Sequence, residues 1–200
     1  MKIRDAVFVA SAAEHEQLPP PAFAEVAFAG RSNVGKSSLI NCLVERRKLV
    51  RTSNTPGATR AINIFHVTLA EPDAVLDVVD LPGYGFARRS KKERKHWGVL
   101  IDRFLRERAG LHTVVLLADA RRGFEDDDLD LLAYLEELGK TPILVATKFD
   151  ELKTSEKKLR LKALSTAAGR RVLPMSAKTG EGRDALWAAV LKASRIATGD

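Results

Sequence analysis

The 200-residue chain holds one cysteine, Cys42, so no disulfide can close within it. No apolar run approaches the roughly 20 residues that span a bilayer, and the N-terminus lacks the apolar core of a secretory signal. Asp5, Glu14 and Glu16 argue against a transit peptide, which is poor in acids. The final Ala197-Thr198-Gly199-Asp200 offers no cysteine for lipidation. There are no repeats, no low-complexity tracts and no linker to a second domain. His15, His66, His96 and His112 have no metal-ligand spacing with one another or with Cys42. The expectation is one cytoplasmic domain, monomeric by default and without stable membrane association. Hydrophobic residues are 45% of the sequence, too many for disorder and enough for a core.

The formal net charge is +7, and its location says more than its size. Residues 84–108 carry nine Lys/Arg against Glu93, Asp102 and Glu107, a net +6 that is most of the chain's excess. A charge run is commonly a solvated helix face. Its concentration in one segment favours a polyanionic partner, met through Arg88, Arg89, Lys91, Lys92, Arg94 and Lys95.

Gly30-Arg31-Ser32-Asn33-Val34-Gly35-Lys36-Ser37 fits the pattern G-x-x-x-x-G-K-[ST]. It follows the apolar run Val26–Ala29 and opens the helix-like stretch Ser37-Ser38-Leu39-Ile40, the strand–loop–helix context that a phosphate loop needs. The glycines let backbone N–H groups converge on phosphate oxygens, and the helix N-terminus adds partial positive charge. Lys36 is the candidate for reaching β- and γ-phosphates, and Ser37 for ligating Mg²⁺.

Alternating periodicities predict strands over 25–29, 61–69, 74–79, 113–118, 142–146 and 171–175. Helices are predicted over 36–47, 90–108, 126–138, 154–167 and 182–196. The short connection between 61–69 and 74–79 makes those two an antiparallel hairpin. The rest implies an α/β fold, a mostly parallel six-stranded sheet with one antiparallel strand and helices on both faces. This domain covers 25–200. Residues 1–24, with Pro19-Pro20-Pro21, read as an extended N-terminal arm whose Val7-Phe8-Val9 is suited to adding to a sheet edge. Asp126-Asp127-Asp128 looks like a metal cluster but falls in a helix's first turn, where acids complement the dipole.

Three further motifs narrow the ligand. Asp80-Leu81-Pro82-Gly83 ends a strand 50 residues after Gly30, placing an acid to hold Mg²⁺ opposite Ser37 and a side-chain-free N–H at Gly83 for a γ-phosphate. Thr147-Lys148-Phe149-Asp150 follows a buried strand. A carboxylate at Asp150 can accept from guanine N1–H and the 2-amino group, and adenine offers neither donor. Small GTPases usually carry Asn where Thr147 stands, and a hydroxyl can serve some of the same contacts. Ser176-Ala177-Lys178 follows the last strand, with the backbone at Ala177 free to approach the guanine O6. In the polar loop before residue 61, Thr59 is preferred over Thr52 and Thr55 as a third ligand of Mg²⁺ and a contact to the γ-phosphate, because it lies nearest the following strand.

These segments, with Thr55-Pro56-Gly57-Ala58-Thr59-Arg60 and Asp80-Leu81-Pro82-Gly83-Tyr84-Gly85-Phe86-Ala87, resemble the bacterial EngB family (also YihA or YsxC) of Era-like GTPases. The likeness runs from about Phe23 to Leu191, and Trp97-Gly98 and Asp184-Ala185-Leu186-Trp187 also match. The resemblance implies a Ras-like P-loop GTPase fold, Mg²⁺-dependent binding of GTP and GDP, and a role in assembling the large ribosomal subunit. It also implies a requirement in normal division and septation.

Ras-type enzymes carry a glutamine after D-x-x-G that orients the attacking water, and Tyr84 stands there. Slow intrinsic hydrolysis is expected. Catalysis would then rest on Lys36, Thr59 and Gly83, with Asn33 a candidate K⁺ ligand or else a loop-stabilising hydrogen-bond former. The rival readings are a P-loop kinase, which Asp150 and the missing lid oppose, and a membrane-surface switch using the basic helix. Trp97, Val99, Leu100 and Phe104 are expected to be that helix's core face.

Overall fold

Stretches such as Val26–Ala29, Val114–Ala118 and Ile143–Ala146 are apolar without alternation, as strands covered on both faces must be. The computed structural model describes residues 1–50, 61–84 and 91–196, with backbone alone over 91–97. Its strands are β1 (Lys2–Ala12), β2 (Ala24–Gly30), β3 (Ile62–Glu71), β4 (Ala74–Asp80), β5 (Leu111–Asp119), β6 (Thr141–Thr147) and β7 (Val172–Pro174). Its α-helices are α1 (Lys36–Leu43), α2 (Lys91–Glu107), α3 (Asp126–Glu137), α4 (Thr154–Ala167) and α5 (Arg183–Ala193). The strands form one sheet in the order β1-β3-β4-β2-β5-β6-β7, with β3 antiparallel to both its neighbours and the remaining pairs parallel.

The sheet has seven strands where six were expected, and the extra one is β1. Phe8 lies opposite Phe65, with ring centroids 5.7 Å apart and edge-on. Ile3, Ala6 and Ala12 are buried. Register shifts at three points break the period-two pattern, which is why alternation did not announce this strand. The stretch between β1 and β2 contains a short 3-10 turn, His15–Gln17. It is fastened to α2 by Glu16, which accepts from Arg103 at 2.5 Å, and by the Pro19 carbonyl, which accepts from Arg108 at 2.6 Å.

On one face α1 and α5 bury Leu39, Ile40, Leu43, Leu186, Trp187 and Val190. The Trp187 indole donates to the Leu43 carbonyl at 2.9 Å, pinning the two helices together. On the other face α2, α3 and α4 contribute Leu100, Phe104, Leu105, Leu132, Leu135 and Leu164. Val99 departs from the expected core face: it is exposed, because the buried stripe runs through 100, 101, 104 and 105, one position round the helix. Helix α1 ends at Leu43 rather than 47, since Glu45 takes a left-handed φ of 54°. The buried Arg108 guanidinium forks onto the fully buried Glu25 carboxylate, locking the end of α2 to the start of β2.

Candidate functional site

The parallel strands β2, β4, β6 and β7 all end on one edge of the sheet, and this delivers the separate motifs to one place. Gly30 closes β2; Arg31, Ser32, Asn33 and Val34 form the loop, and Lys36, Ser37 and Ser38 the first turn of α1. Gly35, the residue before α1, has φ +96°, a conformation that a side chain would strain. Asn33 is exposed, with φ 66°.

The Lys36 ammonium forms a buried ion pair with Asp80 Oδ1, the two side chains being 7% and 1% exposed. Among the described residues the other carboxylate oxygen, Asp80 Oδ2, is buried with no hydrogen-bond partner. An unpaired buried acceptor costs about 1–3 kcal/mol. The open Asp80 oxygen, with half-buried Ser37 following Lys36 in the first turn of α1, is a fitting donor set for a hard divalent cation.

Beyond Asp80 the chain runs beside the phosphate loop like a short extra strand. Leu81 N–H donates to Phe28 O at 3.1 Å, and Pro82 follows. Ser32 N–H donates to Tyr84 O at 3.0 Å. A Cβ on Gly83 would stand 3.3 Å from the Ser32 N and Cα, so glycine permits the close approach. The Tyr84 hydroxyl donates to Asp128 Oδ1 at 2.6 Å. Burial and the Asp128 charge push the Tyr84 phenol far above its usual range, so it stays a neutral donor. Burial also raises Asp128, against the pull of that hydrogen bond.

On the other side, the Thr147 hydroxyl lies 2.6 Å from Val34 O and 3.1 Å from Ala118 O. It therefore links the phosphate loop to the ends of β5 and β6, from the position where small GTPases usually carry an asparagine. Lys148, at φ 54°, donates to Asn33 O at 2.9 Å and pairs with Asp119 at 3.1 Å. Phe149 is buried under the Lys157 ammonium, 5.0 Å from its ring centroid. The Ser176 hydroxyl donates to Asp150 Oδ1 at 2.6 Å and accepts from Thr179 N–H at 3.1 Å, fixing the carboxylate beside half-buried Ala177 and exposed Lys178.

Gly57, Ala58, Thr59 and Arg60 lie outside the described residues, as do Arg88 and Arg89. Lys91, Lys92, Arg94 and Lys95 fall in the first turns of α2. Asp126-Asp127-Asp128 forms no metal-binding cluster with other acids or histidines among the described residues. Asp128 instead accepts from Glu125 N–H at 2.9 Å in a capping box. Sequence reasoning missed the ties of this helix start to the loop: Arg31 pairs with Glu125 and Asp127, each at 3.2 Å. It also missed Asp119, whose signal was an acid at the carboxyl end of a buried parallel strand.

A family model described as "50S ribosome-binding GTPase" matches residues 25–148. A probable GTP-binding protein EngB of Desulfatibacillum aliphaticivorans is 45% identical, with 98% of this chain and 95% of the relative covered. The counterpart from Pelobacter propionicus is 44% identical over 96% of this chain and 95% of its own length. The chain belongs to the EngB family of GTP-binding proteins. It is accordingly a GTPase, which binds guanine nucleotide and hydrolyses GTP. A crystal structure of a probable EngB superposes with TM-score 0.66 at 26% identity, covering 87% of this chain and all of that one. Aquifex aeolicus Era bound to GDP and AlF4⁻ gives TM-score 0.73 at 23% identity over 89% of this chain and 58% of its own, a likeness of fold. The Ras-like P-loop architecture is thus shared with EngB and Era.

Proposed function

We propose that this GTPase is a Mg²⁺-dependent switch in assembly of the large ribosomal subunit, required for normal division and septation and acting as a cytoplasmic monomer. The observation that carries the reading is the backbone bond from Ser32 N–H to Tyr84 O. It joins the phosphate loop directly to the segment that leads into the basic start of α2. A change at the γ-phosphate position, read at Gly83, therefore acts on the chain five residues before Arg88, the first of the polyanion-binding candidates.

The residues divide the work as follows. Backbone N–H groups of 31–38 and the Lys36 ammonium hold the phosphates, Lys36 exchanging Asp80 for phosphate oxygens when nucleotide enters. Ser37 and Asp80, with Thr59, would hold Mg²⁺, which when bound offsets charge on the β- and γ-phosphate oxygens. Gly57, Ala58, Thr59, Arg60 and Gly83 would read the γ-phosphate. Lys148 and Asp150 take the guanine, with Ser176 orienting Asp150, while Phe149, Ala177 and Lys178 complete the base-side loops. Tyr84, its hydroxyl engaged by Asp128, leaves no side-chain amide to orient water, so hydrolysis is slow until a partner or K⁺ at Asn33 supplies positive charge, a gain of about 10³–10⁵.

The test is retention on purified large ribosomal subunits. GTP should give tighter binding than GDP, in a manner that falls steeply with salt. Charge reversal at Arg88, Arg89, Lys91 and Lys92 should weaken it while leaving GTP affinity intact. Equal binding in both nucleotide states would refute the switch. Equal GTPase rates in KCl and NaCl, with and without ribosomes, would remove K⁺.

A further inference from the structure

The segment 84–108 is not the only concentration of positive charge. Residues 153–171 carry seven Lys/Arg against Glu156 alone, again a net +6. Helix α3 between them is the reverse: from Glu125 to Glu137 it holds seven acids and no base. Helix α3 touches α2 through Tyr134, 5.1 Å from the Arg106 guanidinium, and its Glu136 accepts from Arg170 at 2.7 Å just past α4. The acidic helix therefore lies between α2 and α4 on the same layer of the fold. A polyanion on one cannot simply extend onto the other.

On α4 the cations fall into two sets. Arg160 donates to the carbonyls of Ala120 and Arg121, and Lys157 pairs with Glu181, so these serve the fold. Lys158 and Lys162, one turn apart on the exposed face, and Arg171 just beyond have no carboxylate partner among the described residues. Beside them Leu159 is 74% exposed, the most open large hydrophobic among the described residues. Two unneutralised cations flank one bare leucine, and a third follows the far end of the same helix, a surface that repels other cations and has no carboxylate partner among the described residues. A lone leucine is too little apolar face to lie in a membrane interface.

We infer that the exposed face of α4, through Lys158, Lys162 and Arg171, is a second RNA-binding surface that grips the phosphate backbone of a structured RNA. It is separate from the basic segment that precedes and opens α2. The occupant is an RNA because the match is one of charge with a rigid array of phosphates, which helical RNA presents along its shallow groove. Only the origin of that RNA, the large ribosomal subunit, rests on the proposed function.

The experiment uses the full chain, its K158E/K162E variant and the K158R/K162R variant, each with unchanged GTP affinity and thermal midpoint. The probes are an RNA duplex of about 20 base pairs, purified large subunits and vesicles of anionic phospholipid. The reversal should weaken duplex binding by about tenfold or more, and lower the slope of log K against log salt by about 2. The arginine variant should bind as the parent does. A reversal variant that binds duplex with the parent's affinity and salt slope overturns the inference, even if subunit binding by the parent is intact. Loss of duplex binding in that variant, with no subunit binding by the parent, keeps the RNA surface and refutes the ribosomal role. Salt-sensitive binding to vesicles, with none to RNA, also overturns it.

Discussion

At the β6–β7 side of the site, proposed for the base, the polar groups answer one another. Ser176 holds Asp150, Thr147 holds the loop carbonyl of Val34, and Lys148 bridges Asn33 and Asp119. At the β4 side, proposed for phosphate and metal, Asp80 keeps one oxygen buried and, among the described residues, unpartnered, and shares the other with Lys36. One half is built before ligand arrives, and the other is left for ligand to complete. Since GTP and GDP share the base and differ at the γ-phosphate, discrimination between them belongs on the incomplete half, where binding still has free energy to gain.

The largest effect should come from breaking the finished half through its backbone. Gly182 precedes α5 at φ +84°, and a Cβ there would sit 1.9 Å from the Pro174 carbonyl oxygen. Gly182→Val should cost more than about 5 kcal/mol in urea unfolding, because no rotamer relieves a clash with backbone. Gly139→Ala, at φ +67° with open space around it, should cost only about 1 kcal/mol. Similar losses at the two positions would show that strain, rather than the close approach to the Pro174 carbonyl, is what the glycine relieves.

Next comes the unfinished half. Lys36→Ala leaves Asp80 charged, buried and alone, which should destabilise the nucleotide-free protein by about 3–5 kcal/mol. Adding Asp80→Asn should restore most of that loss while GTP binding stays absent. If the double variant is no more stable than the single one, the pair's worth lies in packing and not in charge.

These contrasts were unevenly visible in the sequence. The loop 30–37, Asp80 and the Thr147–Asp150 run were legible because backbone geometry and ligand chemistry both restrict them to a few residue types at strand ends. β1 was legible only as a segment able to meet an edge, since its bulges erase the alternation that marks a strand. The Tyr84–Asp128 and Arg31–Glu125 contacts join residues 44 and 94 positions apart. Each of these side chains is ordinary in its own neighbourhood. Nothing local in the chain marks them, and only the sheet order brings them together.

A smaller change tests how far the finished half supports the loop. Thr147→Val keeps the shape and removes the hydroxyl that reaches Val34 O and Ala118 O. It should cost about 1–2 kcal/mol of stability. Affinities for GTP and GDP should fall by the same factor, as isothermal titration would show, because the contact lies on the shared half. Ser37→Ala should instead weaken GTP more than GDP. A Thr147→Val protein that lost affinity for GTP alone would place this residue with the other half.

The smallest effect concerns protons. Burial raises the Asp119 carboxyl, but hydrogen bonds from the Arg121 side chain and backbone and from Lys148 prevail and hold it well below the ordinary carboxylate range. Its folded pKa thus lies below the unfolded value of about 3.9, and the unfolded chain takes up the proton first. The stabilisation is complete above about pH 4 and disappears as pH falls through the folded value. Asp119→Asn should therefore cost on the order of 1 kcal/mol, constant between about pH 6 and 8, and should flatten the acid limb of stability. Asp128 works in the opposite sense: burial raises it, so protonation favours the folded state as pH falls. Asp128→Asn should steepen the same limb. Urea unfolding across pH decides the matter, and parallel curves for both variants would mean that neither carboxylate differs between folded and unfolded states.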